Sequence, residues 1–281
     1  MSGPNLWMEE VVQRRLAEGR GQGEGDDDFT PWQYVQEFSS RGTQSRVPPL
    51  MLKRTVHTFS YIERALFLFV EFWLRPWLYR EQFAMDRSIT MGAAAALGIR
   101  YPRYPVTRAF VVLTLDAVVS HSNSAGRTIV EAYDCKPARF LLHKRTLEKL
   151  ALHKAYCAHR GWPHHLITER SIPRQFVRNL DWLRSGPERP GEIKVVPGMF
   201  TTMPQLMLED LFSRRPAASI RDYCKAFDHK HWLPRGTGLR IFKVLIWRRD
   251  LVVDFNQAAL TLTPMPVPTR PSVDLALRRA A

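Results

Sequence analysis

Apolar positions in the first two-thirds of the chain change spacing from helical to extended and back. From Asn5 to Glu18, Leu6, Val11, Val12 and Leu16 form a loose helical stripe. Ser60 stands as an N-cap, with Glu63 at the capping-box spacing, and the helix runs to about Leu74, before Arg75-Pro76. Leu66, Phe67 and Val70 share a face with Glu63. A carboxylate there either caps the helix or does chemistry, and local spacing favours the cap. Arg108 to Val119 reads as a strand with Asp116 near its end, and Arg127 to Lys136 as its neighbour after a turn at Ser122 to Gly126. Arg145 to Ala158 predicts a helix, Pro163 to Thr168 a third strand and Pro173 to Leu183 another helix. The alternation is that of an α/β domain.

Two stretches break the pattern. Gly19 to Trp32 alternates glycine with polar residues and ends in the acidic run Asp26 to Asp28. No helix N-terminus follows to make it a phosphate cradle, so it reads as a solvated connector. Residues 31 to 59 read as mixed, with short strands. Around Arg184 to Gly198 the chain becomes rich in Gly and Pro, which suggests a linker and domains at 1–184 and 185–281. Helices are then predicted at Gln205 to Phe212, Ala218 to Phe227 and Gly236 to Trp247, followed by a small hairpin from Leu251–Phe255 and Ala259–Leu262. That order is a winged helix, whose last helix can enter a DNA major groove. Arg240, Lys243, Arg248 and Arg249 are the candidate DNA contacts. The tail after Thr263 is Pro-rich and ends basic at Arg278 and Arg279.

Charge narrows the partners. The chain has 281 residues, a formal net charge of +14 and a pI of about 10.1. From Ser171 onward there are 18 Lys+Arg against 10 Asp+Glu. Such a balance favours polyanions, nucleic acid first. The most apolar run, Ala65 to Leu74, is too short to span a bilayer and is interrupted by Glu71. No secretory signal is recognisable, and three dispersed cysteines, Cys135, Cys157 and Cys224, suit free thiols in a reducing cytoplasm.

Against this background the acids become informative. An acid inside a run as apolar as that around Asp116 is costly unless paired or metal-bound. The next strand ends in Asp134-Cys135-Lys136, where alternation puts Asp134 and Lys136 on one face. An edge ion pair explains neither Asp116 nor Glu63. Two acids and a lysine on neighbouring antiparallel strands, with Glu63 on an upstream helix, suit phosphodiester hydrolysis. In this reading Glu63, Asp116 and Asp134 hold one or two Mg²⁺ ions, and Lys136 assists the attacking water. Acid-x-Lys alone is a weak pattern; the flanking acids make it more specific. Cys157, His159, His164 and His165, and likewise Cys224, His229 and His231, fit no regular zinc spacing. No Ser-His-Asp set, Gly-x-Ser-x-Gly elbow or Walker loop stands out.

Several stretches occur in the order found in one family. They are GRGQGEG…PW (Gly19 to Trp32), SYIERALFLFVEF (Ser60 to Phe72), REQF (Arg80 to Phe83), the Asp116 strand, DCKP (Asp134 to Pro137), RTLEKLALHKAYC (Arg145 to Cys157) and DWL (Asp181 to Leu183). On these the chain resembles the TnsA family, endonuclease subunits of heteromeric cut-and-paste transposases of bacterial transposons. The resemblance spans roughly Gly19 to Leu183. It implies a restriction-endonuclease-like mixed sheet flanked by helices, a Mg²⁺-dependent active site and hydrolysis of the non-transferred strand at the 5′ ends of the element. It also implies a DDE-type transposase partner (TnsB-like), an AAA+ ATPase regulator (TnsC-like), a winged-helix-like C-terminal domain contacting DNA and the ATPase, and a bacterial cytoplasmic setting. By position, Glu63, Asp116 and Lys136 resemble the family's catalytic acids and lysine. Asp134 falls where members can carry Gln, which leaves its role as a direct ligand open. The alternatives are a free-standing restriction or junction-resolving nuclease, and a non-catalytic DNA-bridging subunit.

Overall fold

The computed structural model describes residues 7–37, 43–193, 196–213, 219–264 and 266; the basic tail with Arg278 and Arg279 lies outside the described residues. The chain divides into two compact units, Met1–Ser171 and Ile172–Ala281. This boundary precedes the one that composition suggests, so the helix before the Gly/Pro-rich stretch belongs to the second unit.

In the first unit, α1 (Glu9–Ala17) is followed by a two-stranded antiparallel ribbon, β1 (Ser45–Val47) and β2 (Val56–Thr58). Then come α2 (Tyr61–Trp73), β3 (Leu78–Ala84), α3 (Arg87–Ala96), β4 (Thr114–Ser122), β5 (Thr128–Cys135), α4 (Lys144–Arg160) and β6 (His164–Ile167). The main sheet has the order β3-β4-β5-β6, antiparallel except for the parallel β5–β6 pair. A parallel pair needs a long crossover, and α4 supplies it. Leu152, Tyr156 and Cys157 of α4 pack in one cluster with Leu115, Val118 and Ala132 of the sheet. On α2, Phe67 meets Tyr79 of β3 edge-on at 5.0 Å.

Neither β3 nor α3 is visible in the apolar spacing. LYREQFA reads as polar, yet all seven residues of β3 are buried. Its charges are met locally: Arg54 forks onto Glu81 at 2.8 and 2.6 Å, and Arg80 donates to the Gly23 carbonyl at 3.1 Å. The glycine-rich loop is therefore no solvated connector. Ala84 N donates to Gly21 O at 2.9 Å, and Gly21 has φ +74°, where a Cβ would collide with Ala84. The predicted strand from Arg108 begins only at Thr114, because Arg108 turns left-handed (φ +62°) and residues 102–111 form a turn of their own.

In the second unit, α5 (Arg174–Leu183), α6 (Thr202–Ser213) and α7 (Ile220–Lys230) all pack on α8 (Thr237–Arg248). Ile241, Phe242, Val244, Leu245 and Ile246 of α8 are buried. This corrects the expectation of a groove-reading last helix: α8 is the core of its unit. The expected hairpin is also absent from the described residues, where 251–255 forms no strand and Leu260–Leu262 is a 3-10 turn. Among the described residues no helix is long and apolar enough to cross a membrane.

Candidate active site

Ser60 caps α2 as its sequence predicts, accepting from Glu63 N at 3.2 Å. Glu63 returns the contact, accepting from Ser60 Oγ at 2.7 Å and from Phe59 N at 2.9 Å. The cap thus fixes the carboxylate rather than competing with a chemical role. Burial, and then the negative charge of Asp116, push Glu63 up to about 7.

Asp116 sits at the interrupted rung that shapes the site. An unbroken strand puts residues three apart on opposite faces. Leu115 and Val118 nevertheless share the cluster under α4. On β3, Arg80 and Phe83 are likewise together, with the guanidinium 4.9 Å from the ring. The pairing of β3 with β4 skips Gln82 and Asp116, and Gln82 has φ +49°. Both strands shift face at this one rung. The shift turns Asp116 towards Glu63, and its Oδ2 accepts from Cys135 N at 2.6 Å and Lys136 Nζ at 2.7 Å. Burial works against the Lys136 ammonium, but the charges of Asp116 and Asp134 outweigh it and hold the group above the ordinary lysine range. Tyr79 is buried nearby, its phenol raised by burial and by Cys135, Glu81, Glu63 and Asp116.

The structure brings Glu63, Asp116 and Lys136 together but not Asp134. Asp134 is fully buried, and its Oδ2 lies 2.8 Å from His153 Nδ1 on α4 and 2.7 Å from His164 Nε2 on β6. Burial opposes its ionisation, but the charge and hydrogen bond of His153, with His164 and Lys136, hold it far below the usual carboxylate range. The expectation that Asp134 and Lys136 share a face fails because β5 ends at Cys135, and Lys136, just beyond it, swings to Asp116. Sequence reasoning passed over Gln82, His153 and His164. His164 stands out in the sequence only within an irregular His/Cys set, His153 carries no signal there, and among the described residues no cluster of three His, Cys, Asp or Glu fits a metal.

Two family models match the chain, one for the TnsA-like endonuclease N terminal over residues 78–169 and one for the TnsA endonuclease C terminal over residues 171–255. The chain belongs to the TnsA family. The Transposon Tn7 transposition protein TnsA of Escherichia coli is 34% identical over 186 residues, spanning 66% of this chain and 66% of that relative. The N-terminal TnsA model takes in Asp116, Asp134 and Lys136 and begins beyond Glu63. Its junction with the C-terminal model coincides with the division between the two units.

Three of the four cations expected to face DNA are engaged inside the second unit. Arg240 donates to Gly186 O at 3.1 Å and to Glu192 at 2.7 Å. Lys243 is only 8% exposed, donates to Ser185 Oγ at 2.6 Å and lies 4.1 Å from the Trp182 ring. Burial, and then Arg240, lower its amine to about 8. Arg248 donates to the Phe200 carbonyl. Arg249 ends α8 in the left-handed region at φ +69°, half-buried and with partners of its own.

Proposed function

We propose that the chain is the endonuclease subunit of a heteromeric bacterial transposase, hydrolysing the non-transferred strand at the 5′ ends of its transposon. The observation that carries this is the Glu63–Asp116–Lys136 constellation in a chain of the TnsA family. Lys136 and Cys135 N both address one oxygen of Asp116, while burial, and then the Asp116 charge, push Glu63 up to about 7. Asp116 Oδ1 has no hydrogen-bond partner among the described residues.

This donor set fits Mg²⁺. The ion keeps most of its waters and takes only one or two protein carboxylates, with substrate phosphate completing the shell. Glu63 and Asp116 would hold it, and two crowded carboxylates are the arrangement a dication relieves. When bound, such an ion polarises the scissile phosphate and acidifies water. The chain's own part is positional. The Ser60 cap fixes Glu63, the Gln82–Asp116 rung aims Asp116, and the Lys136 ammonium stays charged beside the phosphate, where negative charge grows as water attacks. The P–O bond to the 3′ oxygen breaks, leaving a 3′-hydroxyl and a 5′-phosphate. Asp134 serves in this reading as a structural anion rather than a ligand. A DDE-type transposase subunit joining the 3′ ends and an AAA+ ATPase selecting targets are the implied partners, in the bacterial cytoplasm.

The test is cleavage of labelled transposon-end duplex in Mg²⁺, with and without the cognate transposase and ATPase. Cleavage at the 5′ ends only in the full mixture, lost in Asp116→Ala, is the expected result. Cleavage by the chain alone would replace this reading with a free-standing nuclease. Intact DNA binding with no cleavage in any mixture would leave only a bridging subunit.

A further inference from the structure

Five helices among the described residues end in the same turn, α1 doing so at Gly19 (φ +68°), and one of these endings has no account within the fold. In this turn the residue after the C-cap is left-handed and donates to the carbonyl three back, and the next residue donates five back. At α3 the left-handed position is Gly98 (φ +63°) and at α4 it is Gly161 (φ +67°). Glycine suits it because a Cβ strains this conformation. At α8 it is Arg249, half-buried and with partners in the chain. At α7 it is Trp232, with φ +53°, Trp232 N 3.4 Å from His229 O and Leu233 N 2.9 Å from Asp228 O.

Trp232 combines two unfavourable choices. A bulky aromatic residue occupies a backbone region that it rarely adopts. Its side chain returns nothing to the core, being 93% exposed with only a loose stack on His229 at 6.5 Å between centroids. An indole placed so serves contact with something outside the fold. The surrounding charge says what. Lys225, His229, Lys230 and Arg235 are exposed around it. Of the two acids on α7, Asp228 is buried with its oxygens taken by Gly236 N and Gly238 N, and Asp222 is exposed at the far end of the helix. Asp210 neutralises Lys230 at 2.6 Å and the exposed Asp222 lies near Lys225, leaving Arg235 as the exposed cation of the turn itself.

The geometry points to the α7–α8 turn as a nucleic-acid contact, with the Trp232 indole stacking on an unpaired base and Arg235 meeting a flanking phosphate. A cationic rim around an aromatic face is how proteins hold single strands without reading sequence. The contact rests on the reading that the chain acts on DNA, and adds a seat for an unpaired segment in the second unit, apart from the cleaving residues.

The test compares the full-length wild type, Trp232→Gly, Trp232→Phe and Asp116→Ala, without divalent metal. Melting temperature and affinity for a labelled duplex with an unpaired overhang are read together. Trp232→Gly should melt about 2–4 °C higher and bind the overhang about tenfold more weakly. Trp232→Phe should keep the affinity. Unchanged affinity in Trp232→Gly overturns the contact, whether or not that variant has lost the transposase or ATPase instead. A lower melting temperature overturns it too, since the ring would then be part of the fold. Asp116→Ala, assayed in parallel for end-DNA cleavage in Mg²⁺ with the cognate partners, separates the two readings: lost cleavage with normal overhang binding leaves the endonuclease reading standing when Trp232→Gly also binds normally. A wild type with no DNA affinity overturns both.

Discussion

Asp116 and Asp134 sit near the ends of adjacent strands, and their surroundings are opposite. Asp134 is sealed from solvent and met by two imidazoles, so its charge is settled within the fold. Asp116 has its backbone and lysine donors on one oxygen, while Glu63 beside it is pushed up to about 7. A buried carboxylate with its partners in place has no need of a cation. Two crowded carboxylates that share one ammonium do, and in the proposed function they are where a dication and a phosphate would be bound. Burial alone does not separate the two cases; the completeness of the partner set does.

The largest effect should come from the crowded side. Lys136→Met should lower cleavage of end DNA by roughly 10²–10³-fold in the assembled system, with little loss of fold by circular dichroism. On the satisfied side the damage should fall on stability. Asp134→Ala leaves His153 and His164 facing a buried gap and should cost roughly 3 kcal/mol in urea denaturation. A wild-type denaturation midpoint would break the comparison.

Acidity should sharpen it. Glu63 is raised from an ordinary 4.5 to about 7, so the metal-free native state holds a proton that the unfolded chain releases. Its contribution to stability is full below about 4.5 and is lost as pH rises through about 7. Asp134 runs the other way, adding stability above its ordinary 3.8 that is lost as pH falls. Thermal melts from acid to neutral pH should therefore show a decline on the neutral side that Glu63→Gln removes. A decline that persists in Glu63→Gln would assign it elsewhere. The smallest effect belongs to Gln82. Gln82→Gly tolerates the left-handed rung, whereas Gln82→Val should be less stable than Gln82→Gly by about 1–2 kcal/mol and should require more Mg²⁺ for cleavage. Equal behaviour of the two variants would detach the rung from the site.

What was legible in the sequence follows how local each cause is. The Ser60–Glu63 cap involves residues three apart and is read directly. Asp116 and Lys136 stand out because charge at the end of apolar strands is costly. The parting of Lys136 from Asp134 is not legible because alternation stops at the strand end at Cys135, and the shift at Gln82 and Asp116 arises from pairing between strands that no single segment records. β3 was missed because Arg80 and Glu81 look solvent-facing until Gly23 and Arg54, far away in sequence, are seen to meet them. The cations of α8 divide for a related reason: Lys243 is buried with its ammonium over the Trp182 ring, far away in sequence, while Arg248 is exposed.

The most direct measurement is a Mg²⁺ titration of end-DNA cleavage by Asp116→Asn and Asp134→Asn beside the wild type, each with the full set of partners. The account predicts no cleavage by Asp116→Asn at any Mg²⁺ concentration, and cleavage by Asp134→Asn with a wild-type Mg²⁺ midpoint. A folded Asp134→Asn that needs far more Mg²⁺, or an Asp116→Asn that still cuts, would contradict it.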